Sequence, residues 1–593
     1  MAAVSSPAKA WLRALEATAP VERGRASIFP IIIEELAQRF ESEPALESRG
    51  STLTYRTLAE SVARYARWGL SQGLCPGDSL CLLMPNCPEY LAIWLGLTRI
   101  GVTVALLNTN LTGELLAHAI RAAAPRHLIT AATLAAALKS ARGGFADSVR
   151  CWVHGGGDTQ LPPLESAVER QSPQPLSASE CPVPALEDRA LCIYTSGTTG
   201  APKAANVSHY RIVQWTHWFA GMMAIRPGER MYNCLPMYHS IGGVVAAGAP
   251  LVGGGTVVLR ERFSVSDFWA DVVAERCTLF QYIGELCRYL VAAPRQEVET
   301  RHALRLCCGN GLRADVWEEF QSRFRIPQIL EYYAATEGSF SLYNCEGRPG
   351  AIGKIPAFLA QRAAVALVKL DADTGLPWRN AAGWCERCAP EEVGEAIGRL
   401  SGPEDAAGGR FEGYADAEAS KKKVLAEVFE KGDAWYRTGD LMRQDADGFF
   451  YFVDRSGDTF RWKGENVSTT EVLSVIGAFE GVVDATVYGV TVPHHEGRAG
   501  MAALVVAPRF DLEDFRVHVA QKLPAYARPL FVRIVTSLEL TGTFRHRNRQ
   551  LAQQAFDPSQ VTDPLYFDDR GVGAYVKMTR ALYEQISAGR LRL

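Results

Sequence analysis

The sequence lacks several features that would assign it to a simple class of protein. Its most apolar window, residues 91–111, contains Arg99 and two asparagines, so it does not provide an uninterrupted apolar run of membrane-spanning length. The N-terminus has no basic start followed by an apolar core, and we therefore expect no signal peptide. We find no internal repeat and no coiled-coil heptad pattern. These absences argue against a membrane-spanning protein, a secreted precursor and a repeat protein.

Basic blocks and paired metal-binding cysteines are also missing. The 593 residues carry a formal net charge of −3, and the basic run at 421–423 is short, so we expect no nucleic-acid partner. The fourteen cysteines are irregularly spaced, and the Cys-x-x-Cys pair at 385 and 388 has no second pair with which to bind zinc. We therefore expect reduced thiols and a cytoplasmic location with at most peripheral membrane contact, as at the inner membrane. No Ser-His-Asp or Cys-His arrangement for covalent catalysis stands out.

Residues 193–203 are the most informative stretch: Ile-Tyr-Thr-Ser-Gly-Thr-Thr-Gly-Ala-Pro-Lys. The apolar run at 190–194 predicts a buried strand that leads into it, and Ser208 is a suitable N-cap for a following helix. Its glycines let backbone N–H groups approach an anion, its hydroxyls add donors, and Lys203 adds a positive charge. The spacing differs from the Walker sequence because Ala-Pro separates Gly200 from the lysine. The pattern favours a phosphate-binding site, with a flexible surface turn as the alternative.

The order of predicted elements indicates the fold class. A helical spacing of apolar residues at 58–68 is followed by strand candidates at 78–84 and 102–107, with a helix that Pro88 opens between them. Strands that alternate with helices predict an α/β protein with mostly parallel sheets. A chain of this length exceeds a single core, so we expect two or more domains.

The complete 193–203 string resembles the phosphate loop of the adenylate-forming superfamily, which includes acyl-CoA synthetases, luciferases and peptide-synthetase adenylation domains. Residues 452–471, together with 563–567 and 573–576, resemble the fatty acid transport protein group, or very-long-chain acyl-CoA synthetases. The resemblance covers nearly everything between residues 35 and 579. It implies a large N-terminal ATP- and acyl-binding domain of α/β subdomains over 1–453, a hinge at 454–458 and a small mobile α+β C-terminal domain over 459–593.

The resemblance also implies a reaction. A ligase of this group activates a fatty acid, here favoured to be long or very long, through an acyl-adenylate formed from ATP, and transfers it to coenzyme A. Mg²⁺ is the implied metal, and coenzyme A is the co-substrate. A bulky acid such as a sterol side chain is an alternative substrate.

Positions that match the superfamily motifs receive roles by resemblance. The implied nucleotide-binding residues are Tyr194, Thr195, Ser196, Gly197, Thr198, Thr199, Gly200, Lys203, Gly309, Asn310, Gly311, Tyr333, Thr336, Asp440, Arg455 and Gly464. The implied metal ligands are Thr336 and Glu337, whose oxygens suit Mg²⁺. The implied catalytic residues are Thr198, Lys203, His239, Glu337, Lys463 and Arg545.

Some of these positions carry a specific chemical expectation. The Tyr333 ring suits stacking on adenine, and the Asp440 carboxylate suits the ribose hydroxyls. By resemblance, His239 lies near the substrate carboxylate and helps to wall the acyl pocket. The alternative for His239 is a core histidine whose hydrogen bonds are satisfied. The alternative for Asp440 is an aspartate in a solvent-facing turn. In the hinge, Arg455 is expected on the ribose side and Gly457 at the pivot, while Lys463 and Gly464 face the site during thioester formation.

The sequence departs from the group at one catalytic position. The group's Thr-Gly-Thr-Phe-Lys string is here Thr-Gly-Thr-Phe-Arg over 541–545, and no lysine lies between Lys522 and Lys577. Arginine keeps the charge, but its planar fork has a different geometry, and loss of one placed charge donor typically lowers a rate by ~10²–10³. Three hypotheses stay open: an acyl-CoA ligase, a weakened member that binds acyl or nucleotide ligands, and a ligase that loads a carrier-protein thiol.

Overall fold

The computed structural model describes residues 6–157, 160–195, 202–360, 365–371, 374–400, 410–455, 459–462, 465–495, 497–540, 546, 548–591 and 593. Two compact units are present: Met1–Val365 with Gly398–Tyr436, and Ala366–Ile397 with Arg437–Leu593. We call them the first and the second unit.

The helices are, in chain order, α1 (Pro7–Glu22), α2 (Phe29–Phe40), α3 (Tyr55–Ser71), α4 (Pro88–Arg99), α5 (Gly113–Ala123), α6 (Ala135–Ala141), α7 (Glu165–Val168), α8 (His209–Met222), α9 (Ala246–Val252), α10 (Phe268–Ala274), α11 (Gly284–Ala292), α12 (Ala314–Arg323), α13 (Ala417–Lys421), α14 (Thr469–Gly477), α15 (Leu512–Lys522), α16 (Asn548–Gln554) and α17 (Arg580–Ser587). A π-helical turn, Ser240–Val245, precedes α9.

The strands are β1 (Pro44–Ser48), β2 (Ser51–Thr54), β3 (Ser79–Leu83), β4 (Thr103–Leu106), β5 (His127–Ala131), β6 (Arg150–His154), β7 (Arg189–Thr195), β8 (Lys203–Ser208), β9 (Arg230–Asn233), β10 (Thr256–Leu259), β11 (Leu279–Ile283), β12 (Leu306–Asn310), β13 (Ile329–Ala334), β14 (Ser341–Asn344), β15 (Gly353–Lys354), β16 (Val365–Val368), β17 (Gly394–Arg399), β18 (Val424–Ala426), β19 (Ala434–Gln444), β20 (Phe449–Arg455), β21 (Phe460–Trp462), β22 (Glu465–Val467), β23 (Val482–Thr491), β24 (Arg498–Val506), β25 (Phe531–Ile534), β26 (Leu565–Asp569) and β27 (Ala574–Lys577).

The first unit contains two sheets that are parallel in their interior. One has the order β6-β5-β3-β4-β7-β8, in which only β8 pairs antiparallel. The other includes β13-β12-β11-β9-β10-β1 in parallel, with β14 and β2 antiparallel at the two ends of this run. Strands such as β3 are buried along their whole length, as expected when helices cover both faces of a parallel sheet. The predicted α/β fold class is confirmed.

Helix α4 shows why the sequence folds in this way. Pro88 opens it at the first turn, as predicted, and every residue of the helix except Glu89 is buried. A Cβ at Gly96 would lie 2.6 Å from the Val62 carbonyl oxygen, so glycine allows α3 to pack closely here. The helix therefore lies inside the largest hydrophobic core rather than at the surface.

The second unit is smaller and of mixed architecture. It contains the sheet β23-β24-β25-β26-β27, in which only β24 and β25 pair in parallel, and its core includes Phe531 stacked on Phe556 at 4.1 Å between ring centroids. The same unit holds the antiparallel pair of β20 with the C-terminal part of β19. Within the described residues, none of the helices has the length and apolar character that a membrane span requires.

Candidate active site

The predicted phosphate loop is flanked by two strands of the first unit. Thr195 at the end of β7 pairs with Lys203 at the start of β8, while Ser196, Gly197, Thr198, Thr199 and Gly200 lie outside the described residues. The strand into the loop is confirmed, and Ser208 is confirmed as the N-cap of α8, since its Oγ accepts from the Arg211 N–H at 3.2 Å. The sequence did not reveal β8, an added strand that separates the loop from the helix.

Tyr194 directs its side chain into the core of the first unit. Its hydroxyl donates to the Ala119 carbonyl oxygen at 2.5 Å, and burial raises the pKa of the phenol. The phenol is therefore engaged with α5, which leaves the backbone of Tyr194 as the part suited to a nucleotide contact.

Glu337 and Lys203 are brought together by a tyrosine from a distant part of the chain. The Tyr414 hydroxyl donates to Glu337 Oε1 at 2.6 Å, and Glu337 is 8% exposed. Lys203 Nζ lies 5.5 Å from the centroid of the Tyr414 ring, a cation–π distance. Burial, and next the charge of Glu337, raise the pKa of Tyr414. The phenol therefore stays protonated and can donate to the carboxylate at neutral pH.

Arg211 joins the backbone of the Thr336 segment to helix α8. Its Nη1 donates to the Thr336 carbonyl oxygen at 2.6 Å, and its Nε lies 3.5 Å from Glu412 Oε1. Glu412 in turn accepts from the Ser208 N–H at 2.7 Å and from the Ser208 hydroxyl at 2.6 Å. A buried arginine with several acceptors fixes the approach of these segments more firmly than an exposed pair would.

The segment around His239 meets Thr336 through the neighbouring residue. His239 comes directly before the π-helical turn, and Ser240 Oγ lies 3.0 Å from Thr336 Oγ1. The turn is tight, since a Cβ at Gly243 would lie 1.9 Å from the Met237 carbonyl oxygen. The prediction of a turn with small neighbours between a strand and a helix is confirmed, and π-helical turns are frequent at functional sites.

Two of the predicted nucleotide-binding segments, 309–311 and the one that contains Tyr333, lie on adjacent parallel strands. Gly309 and Asn310 end β12, and Gly311 follows with φ of +78°. Tyr333 lies on β13, with its ring 5.8 Å from that of Phe340. Adjacent parallel strands end at the same edge of a sheet, which is where open α/β folds bind ligands.

Asp440 and Arg455 face each other in the second unit. They pair in register on β19 and β20, and Arg455 Nε lies 3.3 Å from Asp440 Oδ1. Asp440 is 7% exposed and lies inside an eleven-residue strand, so the alternative of a solvent-facing turn aspartate is wrong. The preceding Gly439 donates its N–H to the buried Glu395 at 3.1 Å, which helps to fix the strand at this point.

The hinge region is described only at its start. Asp454 accepts from the Thr469 N–H at 2.6 Å, at the first turn of α14, and is almost fully buried. A carboxylate at a helix N-terminus stabilises that helix. Gly457, Lys463, Gly464 and Arg545 lie outside the described residues.

Two family models match the chain. The AMP-binding enzyme model matches residues 33–383, and the AMP-binding enzyme C-terminal domain matches residues 471–545. Long-chain fatty acid transport protein 1 of Mus musculus is 40% identical over 577 residues, which cover 94% of this chain and 87% of that relative. Long-chain fatty acid transport protein 6 of Homo sapiens is 40% identical over 567 residues, which cover 94% of this chain and 90% of that relative. The chain belongs to the AMP-binding enzyme family.

A solved structure supports the same conclusion for the fold. An anthranilate CoA ligase in complex with anthranoyl-AMP matches this AMP-binding enzyme with a TM-score of 0.74 and 21% identity, over 89% of this chain and 96% of the ligase. At this identity the likeness establishes the shared fold.

Sequence reasoning missed three residues of the candidate site of this AMP-binding enzyme. Arg211, Glu412 and Tyr414 carry the contacts that unite the predicted motifs, and none was singled out. The available signal was the Phe-Glu-Gly-Tyr run at 411–414, whose glycine and charge are also typical of an ordinary surface turn. An isolated bridge between Ala205 and Tyr414 brings that run to β8.

The oxygen groups of the AMP-binding enzyme suit a magnesium ion that arrives with a nucleotide. Across the residues that the structure describes, no group of three or more His, Cys, Asp or Glu side chains is arranged to hold a metal. Mg²⁺ commonly uses one or two protein carboxylates together with substrate phosphates and water. The Thr336 hydroxyl and the Glu337 carboxylate are hard oxygen donors of the required kind.

Proposed function

We propose that this AMP-binding enzyme is an ATP-dependent acyl-CoA synthetase that activates a long or very long fatty acid. The observation that carries the proposal is the convergence of Lys203, Thr336 and Glu337 through Tyr414 and Arg211 in one unit. This arrangement supplies a cation and oxygen ligands beside the ends of the loop strands. The names of its relatives support the long-chain fatty acid as the substrate class.

In the first half-reaction, a carboxylate oxygen of the fatty acid attacks the α-phosphorus of ATP. The bond from that phosphorus to the bridging oxygen of the β-phosphate breaks, and pyrophosphate leaves. Lys203 and the hydroxyls of Thr195, Ser196, Thr198 and Thr199 are proposed to bind the phosphates, which lowers the charge repulsion that the incoming carboxylate meets. Gly197 and Gly200 have no Cβ, and we propose that they let backbone N–H groups approach the phosphates.

Thr336 and Glu337 are proposed to hold Mg²⁺, which neutralises phosphate charge when it is bound. Tyr414 orients Glu337, and Arg211 fixes the Thr336 backbone. His239 is proposed to lie beside the acid's carboxylate, next to Ser240.

The nucleoside is proposed to bind along the strand ends. Tyr333 stacks on adenine beside the turn at 309–311, and Asp440 with Arg455 binds the ribose. We also propose an N-terminal ATP- and acyl-binding domain at 1–453 and a C-terminal lid domain at 459–593, joined by a hinge at 454–458. These bounds differ from those of the two compact units described above.

In the second half-reaction, the sulfur of coenzyme A attacks the acyl carbon of the adenylate. The bond from that carbon to the phosphate oxygen breaks, AMP leaves, and the thiol proton passes to solvent. Lys463 and Gly464 are proposed to face the site at this stage. The fatty acid is thereby trapped as its thioester, a role compatible with a cytoplasmic protein that has at most peripheral membrane contact.

Arg545 favours a second candidate function. A member without the usual lysine retains the nucleotide and acyl sites and turns over slowly, acting mainly as a binder of acyl-adenylate or acyl-CoA. Arg545 itself is proposed to contact the attacking carboxylate and the α-phosphate in the active form.

The test is release of pyrophosphate and AMP by the purified protein with ATP, Mg²⁺ and acids from short to very long chain. Coenzyme A and a phosphopantetheinylated carrier protein are supplied in parallel. We expect AMP release that requires coenzyme A and rises with chain length. AMP binding without turnover of any acid contradicts the synthetase and favours the binder, and a preference for the carrier protein contradicts coenzyme A as the acceptor.

A further inference from the structure

Glu331 is a buried carboxylic acid that the proposed reaction does not use. It lies on β13 and is 1% exposed. Tyr282 donates its hydroxyl proton to Glu331 Oε2, and the Leu312 N–H donates to Oε1 at 3.1 Å. Burial raises the pKa of Glu331, and hydrogen bonds from Tyr282 and from the N–H groups of Leu312 and Gly311 lower it. Three donors from two parts of the fold, β11 and the turn after β12, therefore converge on one side chain.

Two of these donors belong to the turn that follows β12. The turn passes through Gly311 at φ of +78°, and a Cβ at Gly284 would lie 1.9 Å from the Gly311 carbonyl oxygen. The start of α11 thus packs directly against one side of the turn. On the other side of the turn, Glu331 accepts hydrogen bonds from its N–H groups. The backbone of the turn is therefore held on both sides.

Glu331 also lies on the strand that carries Tyr333. In register, it pairs with Gly309 of β12. Side chains alternate along a strand, so Glu331 faces the same side of the sheet as Tyr333, two residues later. One carboxylate therefore links the turn at 309–312 to the strand that carries Tyr333.

Core stability alone does not account for an acid at this position. Desolvation raises the pKa of Glu331 to about 8 despite its three hydrogen bonds, so burial of the charged form is unfavourable. An apolar residue of similar volume avoids that penalty but leaves the turn's N–H groups without their acceptor. Buried acids with shifted ionisation are concentrated at functional sites.

The geometry points to Glu331 as a positioning residue that orders the turn at 309–312 and the Tyr333 strand for nucleotide binding. The inference rests on the proposed use of ATP and deepens it. Glu331 acts through the turn and does not touch the nucleotide. Without it, nucleotide binding must also order the turn, so affinity falls while the rate at saturating ATP is maintained.

The test compares four proteins by AMP binding in a calorimeter, by KM for ATP and kcat where turnover exists, and by thermal unfolding. Glu331→Met removes the acceptor at similar volume, and Glu331→Gln restores one acceptor oxygen. Glu299→Gln is the control, because Glu299 is a 4% exposed carboxylate that pairs with Arg323 at 2.9 Å elsewhere in the same unit.

We expect Glu331→Met to weaken AMP binding and raise KM for ATP by about tenfold, with kcat changed by less than about twofold. Glu331→Gln recovers most of the affinity, whereas Glu299→Gln lowers the unfolding temperature and leaves AMP binding unchanged. If Glu331→Met does not fold, Tyr282→Phe, which removes one donor, takes its place with an expected loss of about threefold.

Unchanged AMP affinity in Glu331→Met, or in Tyr282→Phe where that variant replaces it, overturns the inference, as does an equal loss of affinity in Glu299→Gln. AMP binding requires neither a fatty acid nor coenzyme A. A wild-type protein that binds AMP but activates no acid therefore contradicts the proposed function and still permits this test.

Discussion

Tyr414 donates its hydroxyl proton to Glu337 at 2.6 Å across 77 positions of the sequence. The same ring lies 5.5 Å from Lys203 Nζ, so one aromatic residue contacts a proposed metal ligand and the lysine of the phosphate loop. Tyr414 thereby joins two predicted motifs that lie far apart in the sequence.

Tyr414→Phe is expected to lower kcat/KM for ATP by about tenfold, because the ring stays beside Lys203 while Glu337 loses its orienting hydrogen bond. Steady-state pyrophosphate release measures the change. The control is Tyr451→Phe, which removes a hydroxyl that donates to Asp445 at 3.0 Å in the second unit, and it should leave kcat/KM unaltered. Equal activity of Tyr414→Phe and wild type would show that Glu337 is oriented by other contacts.

Arg211→Lys is expected to lower both stability and adenylation. Lysine keeps the charge but has no planar fork to reach the Thr336 carbonyl oxygen and Glu412 together, and disruption of a buried ionic contact destabilises by about 3 kcal/mol. Thermal unfolding and pyrophosphate release report the two effects. Arg49→Lys is the matched control, since the Arg49 side chain is 67% exposed where it pairs with Asp271, and it should change stability by less than about 0.5 kcal/mol.

The raised pKa of Glu331 predicts that the folding stability depends on pH. Its folded pKa of about 8 exceeds the ordinary 4.5, so the folded state retains a proton that the unfolded state releases, and stability falls as pH rises from about 4.5 to about 8. The titratable groups that interact with it are Tyr282, Tyr332, Cys287 and Cys308, whose pKa values burial raises.

Those phenols and thiols remain neutral over this range. In the wild-type protein the free energy of unfolding should therefore fall by a few kcal/mol between pH 5 and 8, and Glu331→Gln should remove this decrease. Urea unfolding at several pH values measures it. Glu299 should change stability with pH in the opposite direction, because the hydrogen bond from Arg323 lowers its pKa. Its stabilising contribution is present above the ordinary pKa and is lost as pH falls. Parallel pH profiles of Glu331→Gln and wild type would refute the prediction.

Arg545→Lys is expected to raise the adenylation rate by at least about tenfold, because a compact ammonium suits a contact with both the substrate carboxylate and the α-phosphate. Single-turnover formation of acyl-adenylate measures this step, and thioester formation from preformed adenylate serves as the internal control, with little change expected. If the lysine variant is no faster, arginine already serves that role and the synthetase is not weakened at this position.

Local features of the sequence predicted local structure well. The contiguous apolar residues at 190–194 predicted β7, and Ser208 predicted the start of α8, because strand burial and helix capping depend on neighbours in the chain. The same reasoning missed β8, whose pairing with β7 depends on a partner strand rather than on its own pattern.

The sequence by itself determined the α/β class and the family, and it carries the motifs that we propose for nucleotide binding, since these depend on short runs of residues. Only the tertiary structure decided which side chains hold the motifs together. Ser208 and Glu412 hydrogen-bond across 204 positions, and Arg211 reaches Thr336 across 125. Contacts between positions so far apart leave no periodicity in the chain, because packing of whole elements brings them together. For the same reason, the inward direction of Tyr194 and the three donors on Glu331 became visible only in the fold.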